Sequence, residues 1–114
     1  MADERFALLP GTLEMLVLKT LARGPQHGYA IARSIQEKSA DVLRIEEGSL
    51  YPALHRMERR GWIDAEWGPS ESNRRAKFYG LTKQGREELK AQTENWNKVS
   101  GAIEQVLQAR STGA

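Results

Sequence analysis

The chain has 114 residues, with 17 Lys and Arg against 15 Asp and Glu, a net charge of +2 and no cysteine. That length supports one domain with a core of limited size, and the missing cysteines exclude a disulfide framework, a thiolate metal site and a cysteine nucleophile. A pI near 9.1 permits a nucleic-acid partner without demanding one.

The opening MADERFALLPG has no basic region followed by a long apolar stretch, so it does not read as a secretory signal. No apolar run approaches the ~20 residues that cross a bilayer. A cytoplasmic protein with no membrane contact is expected. Thr12 is the expected N-cap of a first helix over residues 13–22. Leu13, Leu16, Val17 and Leu21 form its stripe, widened by Met15 and Leu18 into a surface buried on two sides. Gly24-Pro25 ends it. A second helix is expected over residues 28–37, with Tyr29, Ala32 and Ile35 buried. Residues 39–48 read as a connector whose Val42, Leu43 and Ile45 pack inward.

Residues 48–60, GSLYPALHRMERR, predict a third helix. Ser49 is the expected N-cap and Pro52 the third helical position, where a missing N–H costs nothing. Leu50, Leu54 and Met57 recur at spacings of four and three, so one face is apolar. Ser49, Tyr51, His55, Arg56 and Arg59 lie nearer the other, and their side chains can address phosphate oxygens or base edges. By itself this pattern is equally that of an amphipathic helix with a solvated face.

Gly61 supplies a stop. WIDAEW, residues 62–67, alternates as a strand, with Ile63, Ala65 and Trp67 on one side. Residues 68–75, GPSESNRR, read as a loop and residues 76–81, AKFYGL, as the returning strand. A helix followed by a hairpin with arginines at its tip is the core of a winged helix. Between residues 55 and 77 six cations (Arg56, Arg59, Arg60, Arg74, Arg75, Lys77) face four anions. They cluster at the end of the helix and at the wing tip.

Thr82 caps a last helix whose pattern runs to about Ala109, some 28 residues or roughly 42 Å. Leu89, Trp96 and Ile103 are spaced by seven, with Val99 and Val106 at intervening positions. This is a heptad seam, weakened by Gln92 and Gly101. So long a helix cannot bury its seam on an ~80-residue domain, which implies a partner helix, most simply from a second copy. Leu13, Leu16 and Val17 join Leu89, Trp96, Val99, Ile103 and Val106 as the expected dimer interface. Two-fold symmetry would set two reading helices on half-sites of a pseudo-palindromic DNA operator.

The expected fold is therefore mainly α (α+β), a winged helix-turn-helix in the order α-α-α-β-β-α. Residues 1–81 form the DNA-binding domain and residues 82–114 the dimerisation helix and tail. Enzymatic readings find little footing. His27 and His55 stand apart, and no HExxH, GxSxG, P-loop or dinucleotide fingerprint occurs. Adjacent pairs such as Glu46-Glu47 diverge by about 100° on a helix. No cofactor and no metal are expected.

With LPGTLEMLVLKTL, HGYAIARSI, EGSLYPALHRMERRGWI, NRRAKFYGLT and a terminal helix bearing Trp96 in this order, the chain resembles the PadR family of bacterial transcriptional repressors. The likeness runs from Leu9 to about Gln108 and fits the small subclass with a single C-terminal helix. It implies a homodimeric repressor that leaves its operator when a signal arrives. It places Tyr29 on the helix abutting the DNA backbone, Ser49, Tyr51, Pro52, His55 and Arg56 on the recognition helix, and Arg74, Arg75 and Lys77 on the wing. Gly80 departs from the larger side chain expected before Leu81 and should loosen that strand. Around Trp96, ENWNKVSGAIEQVL resembles multidrug-sensing relatives that stack a small flat aromatic effector between subunits. A tryptophan on a heptad seam is more often plain dimer core, burying a large aromatic area. A reading of another class remains, a winged-helix module whose basic wing contacts an acidic protein.

Overall fold

In a computed structural model, the chain is described over residues 11–110. The start of the LPGTLEMLVLKTL motif and the expected tail beyond residue 110 lie outside that range. The elements are α1 (Thr12–Leu21), β1 (Gln26–His27), α2 (Gly28–Lys38), α3 (Glu47–Arg59), β2 (Ile63–Pro69), β3 (Arg75–Leu81) and α4 (Lys83–Gln108). Three helices and a three-stranded antiparallel sheet, ordered β1-β3-β2, form the winged-helix body, and α4 runs out from it. The expected order lacks β1. Two residues, Gln26 and His27, pair with Tyr79 and Phe78, and so short a strand leaves no alternation to read.

The core gathers Val17, Leu18 and Leu21 of α1, Ile31 and Ile35 of α2, Leu50, Leu54 and Met57 of α3, and Ile63 and Tyr79 of the hairpin. Val17 has no exposed surface, so the chain's own core consumes it and none of it remains for a second copy. Leu13, Leu16 and Leu89 are partly buried against the same cluster. In α2 the buried residues are Gly28, Ile31 and Ile35, whereas Tyr29 is 63% exposed. Of the expected set Ile35 is buried and Ala32 packs against the core, and Tyr29 alone lies off the buried face. Val42 is likewise exposed, with Leu43 and Ile45 alone of that connector packed on the core. Ala40 and Asp41 take left-handed conformations there (φ 53° and 67°), and this reversal turns Val42 outward.

Helix starts shift too. Gly11, in a left-handed conformation, precedes α1 with no side-chain cap, so Thr12 is helical. Glu46 precedes α3, which places Ser49 inside the helix and Pro52 in its second turn. There the proline removes a bond that Gly48 O would otherwise accept, a cost eased by its place near the exposed start. Two helices have side-chain caps, of which the Thr82 cap is the expected one. His27 Nδ1 accepts from Ala30 N at 3.3 Å at the head of α2. Thr82 Oγ1 accepts from Gly85 N at 2.9 Å at the head of α4.

The C-terminus of α3 is what aims the hairpin. Gly61 has φ 79°, and the amides of Gly61 and Trp62 return to Glu58 O and Met57 O at 3.1 and 3.0 Å, a Schellman closure. Thr82 then clasps the turn, its Oγ1 lying 2.7 Å from Gly61 O and 2.9 Å from Trp62 O and donating to one of them. Gly85 sits so close beneath that a Cβ would strike Trp62 O. The strands run in unbroken register from Ile63↔Leu81 to Pro69↔Arg75. Gly80 pairs with Asp64 in that ladder, where a Cβ would come within 3.2 Å of Asp64 Oδ1. The register runs through it without a bulge. The first turns of α4 pack on the body through Gly85 and Leu89, and from residue 93 the helix is exposed almost throughout.

Candidate nucleic-acid interface

Burying Leu50, Ala53, Leu54 and Met57 leaves α3 with one outward stripe, Gly48, Pro52, His55 and Arg59, at spacings of four, three and four. All four are exposed. Tyr51 borders the stripe on the side of α2, and Ser49 and Arg56 border it on the side of α1. Of the residues expected to touch DNA, Ser49, Tyr51, Pro52 and His55 are thus brought together on the surface. Arg59, expected on the polar face but not among the DNA-binding residues, stands in the centre of the stripe. Its signal is the spacing with Pro52 and His55.

Tyr51 is held by the helix before it. Its ring lies against Gly28, where a built Cβ would come within 2.6 Å of the hydroxyl and 2.8 Å of the ring. Only the absence of a side chain at the first position of α2 allows this approach. Tyr29, next along α2, stands out beside it, its ring 6.5 Å from that of His27. His27 in turn meets Phe78 of β3 edge-on at 5.6 Å. The HGY sequence therefore caps α2, makes room for Tyr51 and exposes a second phenol.

The hairpin tip is built by its own backbone. Ser70 N donates to Arg74 O at 2.8 Å and Asn73 N to Ser70 O at 2.9 Å, with Asn73 at φ 67°. Asparagine tolerates that left-handed turn position. Arg74 and Arg75 are exposed on this tip, and the Arg75 guanidinium lies 5.8 Å from the centre of the Trp67 ring. Trp67 continues the inward face of β2 past the end of the core and is left exposed. Flat and beside a guanidinium, it joins this surface unexpectedly, because alternation alone makes it a core residue.

Two expected DNA cations are otherwise engaged. Lys77 Nζ pairs with Glu58 Oε1 at 3.3 Å and lies 5.5 Å over the Tyr79 ring, tying the wing to α3. Burial pushes the Tyr79 phenol above its ordinary pKa, with the Lys77 charge pulling the other way. Arg56 Nε pairs with Glu14 Oε2 of α1 at 3.3 Å, and Arg60 Nη1 reaches the same carboxylate at 3.6 Å. The arginines on α3 thus divide into Arg59, with no ion pair among the described residues, and two that are held against α1.

The family model for the PadR-like transcriptional regulators matches residues 17–91, the span from the core of α1 into α4. The chain belongs to the PadR-like family. A PadR family transcriptional regulator from Eggerthella lenta is similar in structure, with TM-score 0.75 and 32% identity, over 88% of this chain and 85% of its own. A PadR family regulator from Clostridium difficile has TM-score 0.74 and 29% identity, over 85% and 99%. A 37.1 kDa protein of a Streptomyces fradiae transposon is 39% identical over 79% of this chain, which spans only 24% of that relative's length. PadR-like proteins are transcription factors and not enzymes, so the regulator reading displaces the enzymatic one. Among the described residues, no helix is long and apolar enough to cross a membrane.

The fit of Tyr51 on Gly28 has a direct consequence. Gly28→Ala should destabilise the protein by about 1–3 kcal/mol through overpacking, although alanine favours helix. In a Tyr51→Ala background the same change should cost little or nothing. Thermal unfolding of the four proteins measures that coupling, and simple additivity would show that the two residues do not compete for space.

Proposed function

We propose that two copies of this chain form a repressor that binds a pseudo-palindromic DNA operator. The observation that carries the reading is the outward stripe of α3, flanked by Tyr29 and Tyr51 and continued by an arginine-tipped hairpin. Its exposed groups are those that address phosphates and base edges. Ser49, Tyr51, Pro52 and His55 enter the major groove, and Tyr29 meets the backbone beside it. Arg74 and Arg75 reach phosphates or the minor groove from the wing. Arg56 and Lys77 stand at the edges of this surface, each already facing a carboxylate.

Dimerisation runs through α4. Trp96, Val99, Ile103 and Val106 lie on one stripe and are 42–74% exposed, an apolar seam of the kind that a partner helix covers. Leu13, Leu16 and Leu89 extend it toward the body. An effector with a flat aromatic ring, stacked on Trp96 between the two subunits, would then act on the spacing of the reading helices.

Selection from random DNA by the purified protein should return a two-fold sequence with half-sites about one helical turn apart. Changing Arg74 and Arg75 to Gln should weaken operator and random DNA alike and flatten the salt dependence by about 0.9 for each phosphate no longer neutralised. His55→Ala should instead erode discrimination, by roughly 1–3 kcal/mol for a base contact. Recovery of no preferred sequence would favour the protein-interaction module. Val99→Glu with Ile103→Glu should convert a dimer into a folded monomer in sedimentation equilibrium; an unchanged mass would move the interface elsewhere. Planar aromatic compounds should quench tryptophan fluorescence of the wild type and not of Trp96→Ala beyond what Trp62 and Trp67 contribute, and equal quenching would remove Trp96 from the site.

A further inference from the structure

We propose that Glu14 withholds Arg56 from phosphate and so limits the sequence-independent part of the attachment to DNA. The inference rests on the DNA-binding reading and adds to it a residue of α1, an element that offers no side chain to the reading stripe. Glu14 is only 8% exposed, the one charged residue among the buried positions of α1. Its two oxygens take two arginines from successive turns of α3: Oε2 meets Arg56 Nε at 3.3 Å and Oε1 meets Arg60 Nη1 at 3.6 Å. Arg60 is further committed by the Trp62 ring, 5.1 Å from its guanidinium carbon.

The competition is unequal. Arg56 is half exposed, so a phosphate contact from it would be screened by salt and shared with water. Leaving Glu14 would leave a largely buried carboxylate with Arg60 alone, at the longer distance of 3.6 Å, and weakening the pairing of a charge mostly out of water is costly. The result is a reading helix with three arginines of which one, Arg59, is offered to any phosphate it meets. Sequence-independent binding scales with the number of phosphates neutralised, so a fixed internal carboxylate lowers the background without altering the stripe that reads bases.

Removing the negative charge while keeping the shape is the test. Glu14→Gln should bind random-sequence duplex about eightfold more tightly at 0.1 M salt for each cation released, with a salt slope steeper by about 0.9. Operator affinity should rise with it, because a phosphate contact strengthens both alike. A merely structural role for Glu14 would weaken both and steepen neither. A folded Glu14→Gln with unchanged slope overturns the proposal. Arg56→Gln in an otherwise intact chain gives an answer even if Glu14→Gln unfolds. Because Arg56 is already withheld, its loss should leave the random-DNA slope where it was, and a slope flattened by about 0.9 would overturn the proposal. A wild type that retains no DNA in excess competitor would instead overturn the DNA-binding reading itself.

Discussion

The rotational phase of α3 is the constraint on which everything else hangs. A helix has one phase, and once Leu50, Ala53, Leu54 and Met57 are buried the rest of its surface is assigned. Each large apolar side chain removed from water contributes about 1.5–3 kcal/mol, so turning the helix to present another face would forfeit most of the core. Gly48, Pro52, His55 and Arg59 therefore face outward as a consequence of packing. The Schellman closure at Gly61 and the Thr82 clasp then set where the hairpin leaves that helix. Reading stripe and wing are aimed by the same few bonds.

Charge on this surface is settled by partners more than by totals. The region holds a modest excess of cations, yet Arg56 and Arg60 turn to Glu14 and Lys77 to Glu58. What remains outward and without an ion pair among the described residues is Arg59 with Arg74 and Arg75 at the tip. Three cations stand there beside two phenols and an imidazole, groups of the kinds that can address phosphates and base edges.

The last helix obeys a different rule. Its first turns are fixed to the body by the Thr82 cap, the close approach at Gly85 and the burial of Leu89. Past residue 92 there is no body left to pack on, and the stripe from Trp96 to Val106 stays in the open. The seam stays open in the single chain, where the core of α1 to α3 is closed. Val17 marks the division, since it shares the aliphatic character of the seam residues but is wholly spent inside its own chain.

Local rules by themselves determined a good deal. Among the described residues, periodicity located the four helices and both long strands, the buried face of α3, the His27 region as a helix start, the Thr82 cap and the Gly61 stop, because each depends on a few neighbouring residues. Tertiary structure decided what those rules cannot reach. The two-residue β1 exists only because β3 lies beside it. Tyr29 faces out and Ile31 in because α2 meets the core along one of two adjacent stripes, and Val42 is turned out by two left-handed residues. Trp67 alternates like a core residue but stands past the core's edge. Above all, the pairing of Glu14 with Arg56 spans 42 positions, a distance over which spacing carries no information and only the packing of α1 on α3 can bring opposite charges together.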